Sequence, residues 1–278
     1  MRQLAEINAS ELTTMHCGGK IARLYEPDSR GQVCELISEL DDFIVLGGGS
    51  NMIFADRVIT RPVIRLGKGF DTITRDGTNI SAGGALLTGK LLAYCTRNAL
   101  SGIEFLAGIP GTIGGALYMN AGTATQGIMD AVLDVEIADK NGISTLRRED
   151  IPYGYRYGGI AQGTIILGAR FALKDALFKD VADTIASFME KRRLQPGGYS
   201  SGSVFKNPPG SPAGMLIEQA GLKGFSIGGA KVSEVHANYI INEGNASTAD
   251  IQELIRTIKR TVREKFGIEL IEEVRIIG

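Results

Sequence analysis

The chain has 278 residues, 44% of them hydrophobic, and 30 basic against 31 acidic side chains. That is enough for one large domain or two to three small ones with a real core. The near-zero balance excludes the basic footprint of a nucleic-acid binder and any long like-charge tail. Cys17, Cys34 and Cys95 lie far apart with no Cys-x-x-Cys spacing, which argues against a zinc site and a disulfide framework, so no metal is expected. The opening "MRQLAEINASEL" has no apolar signal core. No run approaches the ~18 apolar residues of a membrane span. The expectation is a soluble cytoplasmic protein, with no membrane, nucleic-acid or evident protein partner.

In chain order, "SRGQVCELISEL" places Val33, Leu36, Ile37 and Leu40 on one helical face. "DFIVLGGGSNMIF" reads as a short apolar strand running into a glycine loop, and "RPVIRL" as another strand. "DTITRDGTNISAG" is a hairpin turned at Asp76-Gly77. Leu87, Leu91 and Cys95 form the stripe of a helix reaching about Leu100, and "AVLDVEIADKNGISTLRR" is a second hairpin turned at Asn141-Gly142. "TIILGARFAL" alternates as a strand, and "FKDVADTIASFMEKRRLQP" is a helix burying Val181, Ile185 and Met189. "SPAGMLIEQAGLKG" predicts a short helix with Ser211 as cap, Pro212 at its first position and Gly221 as stop. "VHANYIIN" is a strand. "STADIQELIRTIKRTVREKFG" is the clearest helix, with a Ser247/Asp250 capping box, a stripe from Ile251 to Phe266, and Gly267 as stop. "IELIEEVRIIG" closes the chain as a strand. The pattern of short strands, hairpins and a few helices is α+β.

Glycine is the outlier: 37 residues, about twice the usual share of roughly 7%. "GALLTGKL" nearly fits the phosphate-cradling G-x-x-x-x-G-K-[ST], but Leu91 replaces the hydroxyl residue, and a strand-to-helix turn is the better reading. "LGGGSN" follows a strand, yet Met52 stands where a dinucleotide fingerprint needs its last glycine. Its successive amides at Gly47, Gly48, Gly49 and Ser50 suit an anion-binding nest, with Ser50 and Asn51 as side-chain donors, or they form a plain tight turn. "GIEFLAGIPGTIGGALYMNAG" is charge-poor and rich in backbone donors that need partners if buried. A pyrophosphate, a flavin edge or well-packed core turns would all serve.

"VLGGGSNMIFAD" with "GIPGTIGGALYMNAG" resembles the FAD-binding signature of UDP-N-acetylenolpyruvoylglucosamine reductases, within the vanillyl-alcohol-oxidase type of flavoprotein. The likeness continues, in order, through "YGYRYGG", "GSVFKNP", "AGMLIEQAGLKG", "VSEVHANYIIN" and "IEEVRIIG", and so covers nearly the whole chain. It implies two α+β FAD-binding lobes (1–66 and 67–176), a smaller α+β substrate lobe (177–267) and a C-terminal strand (268–278) returning to the FAD lobes. It also implies the reaction. NADPH gives hydride to a non-covalent FAD, hydride passes to the β-carbon of the enolpyruvyl group of the UDP-sugar, and a proton reaches the α-carbon, for peptidoglycan synthesis.

By the same resemblance, Arg156 stabilises the enediolate-like charge, Ser203 donates the proton and Glu273 shares a hydrogen bond with the developing enediolate or orients Arg156. Strand alternation lets only one of Glu272 and Glu273 point inward, and the motif selects Glu273. Gly47, Gly48, Gly49, Ser50, Asn51, Gly111, Thr112, Gly114, Gly115, Asn120 and Ala121 are the expected FAD-binding residues. Tyr155, Lys206 and Asn207 are expected at the substrate, and His236 and Asn238 are structural or substrate-shell residues. His16, beside the expected flavin edge, is not expected to tether it. Gly158-Gly159 and the short run after them match the compact branch of the family, which lacks an inserted substrate-closing loop. Two other readings carry less of the sequence. An FAD-dependent oxidase of another small substrate has no reason to hold "GSVFKNP" with "EEVRIIG", and a nonenzymatic nucleotide-binding module rests only on Gly84 to Lys90.

Overall fold

A computed structural model describes residues 1–278. Its strands, in chain order, are β1 (Arg2–Asn8), β2 (Lys20–Glu26), β3 (Ile44–Val45), β4 (Met52–Phe54), β5 (Val63–Ile64), β6 (Ile73–Asp76), β7 (Asn79–Gly83) and β8 (Leu100–Ser101). There follow β9 (Val132–Asp139), β10 (Gly142–Arg147), β11 (Ile165–Ala172), β12 (Lys174–Asp175), β13 (Ser226–Ile227), β14 (Ala230–Val232), β15 (Ile240–Asn242) and β16 (Arg275–Ile277). The helices are α1 (Arg30–Glu39), α2 (Thr88–Arg97), α3 (Ile113–Tyr118), α4 (Phe178–Arg193), α5 (Ala213–Gln219) and α6 (Thr248–Phe266). The fold class is α+β.

The chain divides into two compact units. One holds residues 1–4, 23–48 and 61–192; the other holds 5–22, 49–60 and 193–278. These units interleave in sequence, whereas the stretches expected from the sequence run consecutively. No helix is long and apolar enough to cross a membrane.

A four-stranded sheet has the order β1-β2-β5-β3, and within the first unit Leu24 and Ile44 pair with Val63 in parallel register. A five-stranded antiparallel sheet has the order β10-β9-β11-β7-β6. α1 begins at Ser29, whose hydroxyl accepts from the Gln32 amide, and buries Val33, Leu36 and Ile37 against Ile64, Ile165 and Leu167. Each such side chain contributes about 1.5–3 kcal/mol when fully buried. The main core lies on the other elements of this unit, with Leu91 and Cys95 of α2, Ile113 and Leu117 of α3, and Ile80, Val135 and Phe171 of the sheet. α4 adds Val181 fully and Ile185 partly, but Met189, expected inside, is 46% exposed.

Both predicted hairpins form one residue away from the expected turns. Asp76 pairs with Asn79, so the first loop is Gly77–Thr78. Asp139 pairs with Gly142, so the second is Lys140–Asn141. In the second, the Asp139 carboxylate accepts from the Asn141 amide at 2.7 Å, a side-chain turn that fixes the loop ahead of the glycine.

In the second unit, α6 carries its stripe of Ile251, Leu254, Ile255, Ile258 and Val262 into a core with Leu216 and Ile217 of α5 and Ala230 and Val232 of β14. The Ser247/Asp250 capping box forms in both directions, and Gly267 ends the helix with φ +71°. Asp56 adds a second cap, its carboxylate accepting from the Thr248 and Ala249 amides at 2.9 and 3.0 Å. α5 starts one residue later than predicted. Pro212 is its extended cap residue, and the missing side-chain cap comes from Asn207, whose Oδ1 accepts from the Ala213 amide at 3.0 Å, rather than from Ser211. The strand expected over "VHANYIIN" is only Ile240–Asn242, because the Tyr239 amide turns back to the His236 carbonyl at 3.0 Å. β16 pairs in parallel with β4, Arg275 opposite Met52, and leaves Glu272 and Glu273 just ahead of the strand.

Candidate active site

In the first unit the two glycine stretches meet backbone to backbone. A Cβ on Gly48 would stand 2.7 Å from the Cα of Gly111, and one on Gly47 would stand 3.0 Å from the Thr112 hydroxyl. At Gly48 only glycine permits that approach, whereas at Gly47 the Thr112 hydroxyl would have to give way slightly. No hydrogen bond within the chain uses the amides of Gly47 or Gly48, nor that of Gly49 in the second unit. The amides that follow Thr112 are different. Ile113 donates to Leu86, Gly114 donates to Gly84 at 2.9 Å, and Gly115 faces the Thr112 hydroxyl at 3.4 Å. Gly114 therefore serves the packing of α3 on β7 and β11, where a Cβ would press on the carbonyls of Gly84 and Ile166. A loop that keeps unspent backbone donors in a cradle closed to side chains fits the diphosphate of a dinucleotide.

The segment once resembling a phosphate loop has another use. Thr88, at the start of α2, donates its amide to Gly111 at 3.0 Å and its hydroxyl to Ile109 at 2.6 Å. It fastens the second glycine stretch from behind. Lys90 pairs with Asp71 at 2.6 Å and is not a phosphate lysine. Sequence reading missed Thr88; the near-motif around it was the only signal.

Arg156 occupies the third place of a tight turn in which the Tyr157 amide donates to Gly154 at 3.1 Å and the Gly154 amide to Tyr157 at 2.8 Å. Its φ is +54°, a left-handed conformation that glycine takes easily and a bulky residue does not. Its guanidinium lies 5.0 Å from the ring centre of Tyr155, and its Nη1 donates to the Gly122 carbonyl at 3.3 Å. Tyr155 itself is exposed. Asn120 and Ala121 close the second stretch. Asn120 is buried with φ +43°, and Ala121 donates its amide to Ala116 and accepts from Ile128.

The second unit gathers Gly49, Ser50, Asn51, Ser203, Lys206, Asn207, His236, Asn238 and Glu273. The segment "YSSGSVF" runs beside β15, bridged at Tyr199–Asn242 and at Ser203–Tyr239. Between the two bridges lie three residues on one side and two on the other, and Gly202 takes up the excess with φ +72°. Asn238 is buried and closes a ring on Phe205: its Oδ1 accepts from the Phe205 amide at 3.0 Å, and its Nδ2 donates to the Phe205 carbonyl at 2.8 Å. His236 accepts from the Asn238 amide at Nδ1 over 3.2 Å, and its ring packs edge-on to Tyr239. Enclosure of the ring pushes its pKa down, with nearby Lys223 acting in the same direction, against an opposing backbone hydrogen bond and Glu218.

Glu272 and Glu273 have different partners. The Glu272 carboxylate takes a 2.9 Å ion pair from Lys259 of α6, while its backbone bridges to Phe205. Glu273 gives its amide to Val204 at 2.7 Å and its carbonyl to the side-chain amide of Asn51 at 3.0 Å. The proton-donor candidate and the glutamate candidate thus sit on two segments hydrogen-bonded to one another, since Val204 directly follows Ser203. His16 stacks on Tyr199 with ring centres 4.1 Å apart. Asn242 holds both segments, donating its amide to the Met15 and His16 carbonyls and its backbone N–H to Tyr199. Cys17 and Cys95 are buried; burial raises the Cys17 thiol and, with Glu104 nearby, pushes Cys95 up to about 12, so both behave as apolar core residues.

Comparison with known proteins gives one answer. Residues 21–146 match the FAD binding domain family, and residues 195–277 match the C-terminal domain of UDP-N-acetylenolpyruvoylglucosamine reductase. The reductase of that name from Caldanaerobacter subterraneus is 39% identical over 96% of this chain and 90% of its own length. The one from Bacillus subtilis is 36% identical over 100% and 96%. The crystal structure of the Thermus caldophilus reductase superposes with a TM-score of 0.90 at 33% identity, covering 100% of this chain and 98% of that one. The chain belongs to the UDP-N-acetylenolpyruvoylglucosamine reductase family.

Proposed function

We propose that the protein reduces the enolpyruvyl ether of UDP-N-acetylenolpyruvoylglucosamine to UDP-N-acetylmuramate, a step of peptidoglycan synthesis. The residues fit FAD, whose diphosphate would be held by the free amides of Gly47 and Gly48 with Gly111 and Thr112 alongside. Bound there, FAD would supply the β-carbon with a hydride taken from NADPH. What remains is the work of side chains.

Hydride arrival at the β-carbon pushes negative charge into the substrate carboxylate. Arg156 opposes that charge with a planar, permanently charged fork, which stabilises the transition state more than the ground state. Ser203 gives its hydroxyl proton to the α-carbon. An alcohol is a weak acid, but an enediolate carbon is a strong base, so the mismatch is small. Glu273 shares a proton with the developing enediolate or sets the orientation of Arg156. The product then carries one added hydride and one added proton. Lys206 and Asn207 belong to the segment that would receive the sugar nucleotide; Asn207 contributes by holding the start of α5.

The observation that carries the role of Arg156 is its left-handed backbone. Such strain persists where the surroundings impose it, and it concentrates at active sites. Anaerobic bleaching tests the function. The purified yellow protein should bleach with NADPH and recover its colour on addition of the enolpyruvyl sugar nucleotide. A protein that is colourless from flavin-replete cells, or one whose colour returns only with oxygen, would refute the proposal; the second result would favour an oxidase.

A further inference from the structure

We propose that Asn120 is the residue that positions Arg156, an inference that rests on the role given to Arg156 above. The side chain of Asn120 is directed at two backbone groups. Its Oδ1 accepts from the Met129 amide at 3.1 Å, and its Nδ2 donates to the Gly154 carbonyl at 2.8 Å. Gly154 opens the turn that carries Arg156, and the same carbonyl accepts the Tyr157 amide that closes it. One bond from Asn120 therefore falls on the hinge of the turn.

The other end of the turn is docked as firmly. The Gly158 amide donates to the Tyr118 carbonyl at 3.0 Å, and a Cβ on Gly158 would stand 2.0 Å from the Leu117 carbonyl. Arg156 is thus held between two anchors on the segment that ends α3. Its Nη1 reaches Gly122, two residues beyond Asn120. The position also suits asparagine in particular. With φ at +43°, Asn120 takes the left-handed conformation that asparagine tolerates best among residues with a side chain. A Cβ on Gly127 would come within 2.1 Å of Oδ1, so the pocket around the amide leaves no slack. Asn120, expected at FAD, thereby transmits the position of the second glycine stretch to the arginine.

Asn120→Asp tests this in the full-length, FAD-loaded protein. It keeps an oxygen for Met129 and replaces the donor to Gly154 with a second acceptor. With FAD kept saturating, recovery of colour with the enolpyruvyl sugar nucleotide should slow about tenfold or more, and clearly more than flavin bleaching by NADPH does. With Arg156→Ala already in place, Asn120→Asp should change that recovery by less than about two-fold, because neighbours that act as one unit are not additive. Effects that multiply, or an equal slowing of both half-reactions, overturn the inference. If the aspartate variant loses FAD, the same measurements are made on Asn120→Gly, which keeps the left-handed backbone; loss of FAD there too makes Asn120 a scaffold residue and also overturns it. Recovery left intact by Arg156→Ala alone would instead remove the parent assignment of Arg156.

Discussion

The side-chain amide of Asn51 donates a 3.0 Å hydrogen bond to the backbone carbonyl of Glu273. The chain answers in the other direction, the Arg275 amide donating to the Asn51 carbonyl at 3.0 Å. This exchange opens the parallel pairing of β4 with β16 and ties the end of the first glycine loop to the glutamate proposed for catalysis. Asn51→Asp should therefore act on Glu273 as well as on the loop. Setting a carboxylate oxygen against a carbonyl costs about 1 kcal/mol or more at a half-buried site, which is a few degrees in melting temperature. Reoxidation by the sugar nucleotide should slow more than reduction by NADPH. Stopped-flow traces of the two half-reactions read the difference directly, and equal slowing of both would contradict the link.

Neighbouring glutamates give a sharper discrimination. Lys259 and Glu272 are each 34% exposed, and solvent screens their ion pair to less than about 1 kcal/mol. Glu272→Gln should leave turnover within about two-fold, whereas Glu273→Gln should lower it about a hundredfold, in the usual range for a positioned acid or base. Steady-state assays of the two variants side by side decide between them. If the larger loss falls on position 272, the glutamate has been misassigned by one residue.

His236 supplies a pH dependence whose sign follows from its surroundings. Its folded pKa is depressed, chiefly by enclosure of the ring. Between that value and the ordinary pKa near 6.5 the unfolded chain binds more protons than the folded one, so stability rises with pH there. The contribution is present above about 6.5 and is lost as pH falls through the depressed value. His236→Asn should flatten the fall in melting temperature on acidification from about 6.5 down to that depressed value. Identical slopes for the variant and the wild type would show that the ring's enclosure has no thermodynamic consequence.

Much of this was legible in residue order, and the gaps have physical causes. The α6 stripe, its capping box and its terminal Gly267 follow from local rules, and all three appear as read. The hairpins were also legible, but their turns slipped by one residue, because cross-strand pairing and the Asp139 side chain override the dipeptide preference. Ser211 looked like a helix cap because Pro212 follows it; the real cap reaches Ala213 from Asn207, across a loop that no spacing rule spans. The side-chain work of Asn51, Asn120 and Asn238 was invisible for the same reason. Each reaches a backbone group more than thirty residues away in the chain, at Glu273, Gly154 and Phe205. The glycine motifs announced a ligand. The long-range asparagine bonds that position the arginine and the glutamate needed the fold.

Ser203 is the last and most direct test. Its hydroxyl is proposed to act only after hydride has arrived, and its backbone is already fixed by the Tyr239 bridge and by the Asn238 clamp on the next residue but one. Removing the hydroxyl should therefore leave the loop in place. Ser203→Ala should keep FAD, bleach with NADPH at nearly the wild-type rate, and recover colour with the sugar nucleotide about 10²–10⁴-fold more slowly, the range expected for a lost proton donor. Ser203→Cys, whose thiol is a stronger acid, should recover part of the rate. Ser201, two residues earlier, is buried, and no protein group partners its hydroxyl, so it is the control within the same loop. Ser201→Ala removes no hydrogen bond of the chain and should melt at or above the wild-type temperature with the sugar-nucleotide half-reaction preserved. A large kinetic loss at Ser201 with none at Ser203 would move the proton donor from one serine to the other.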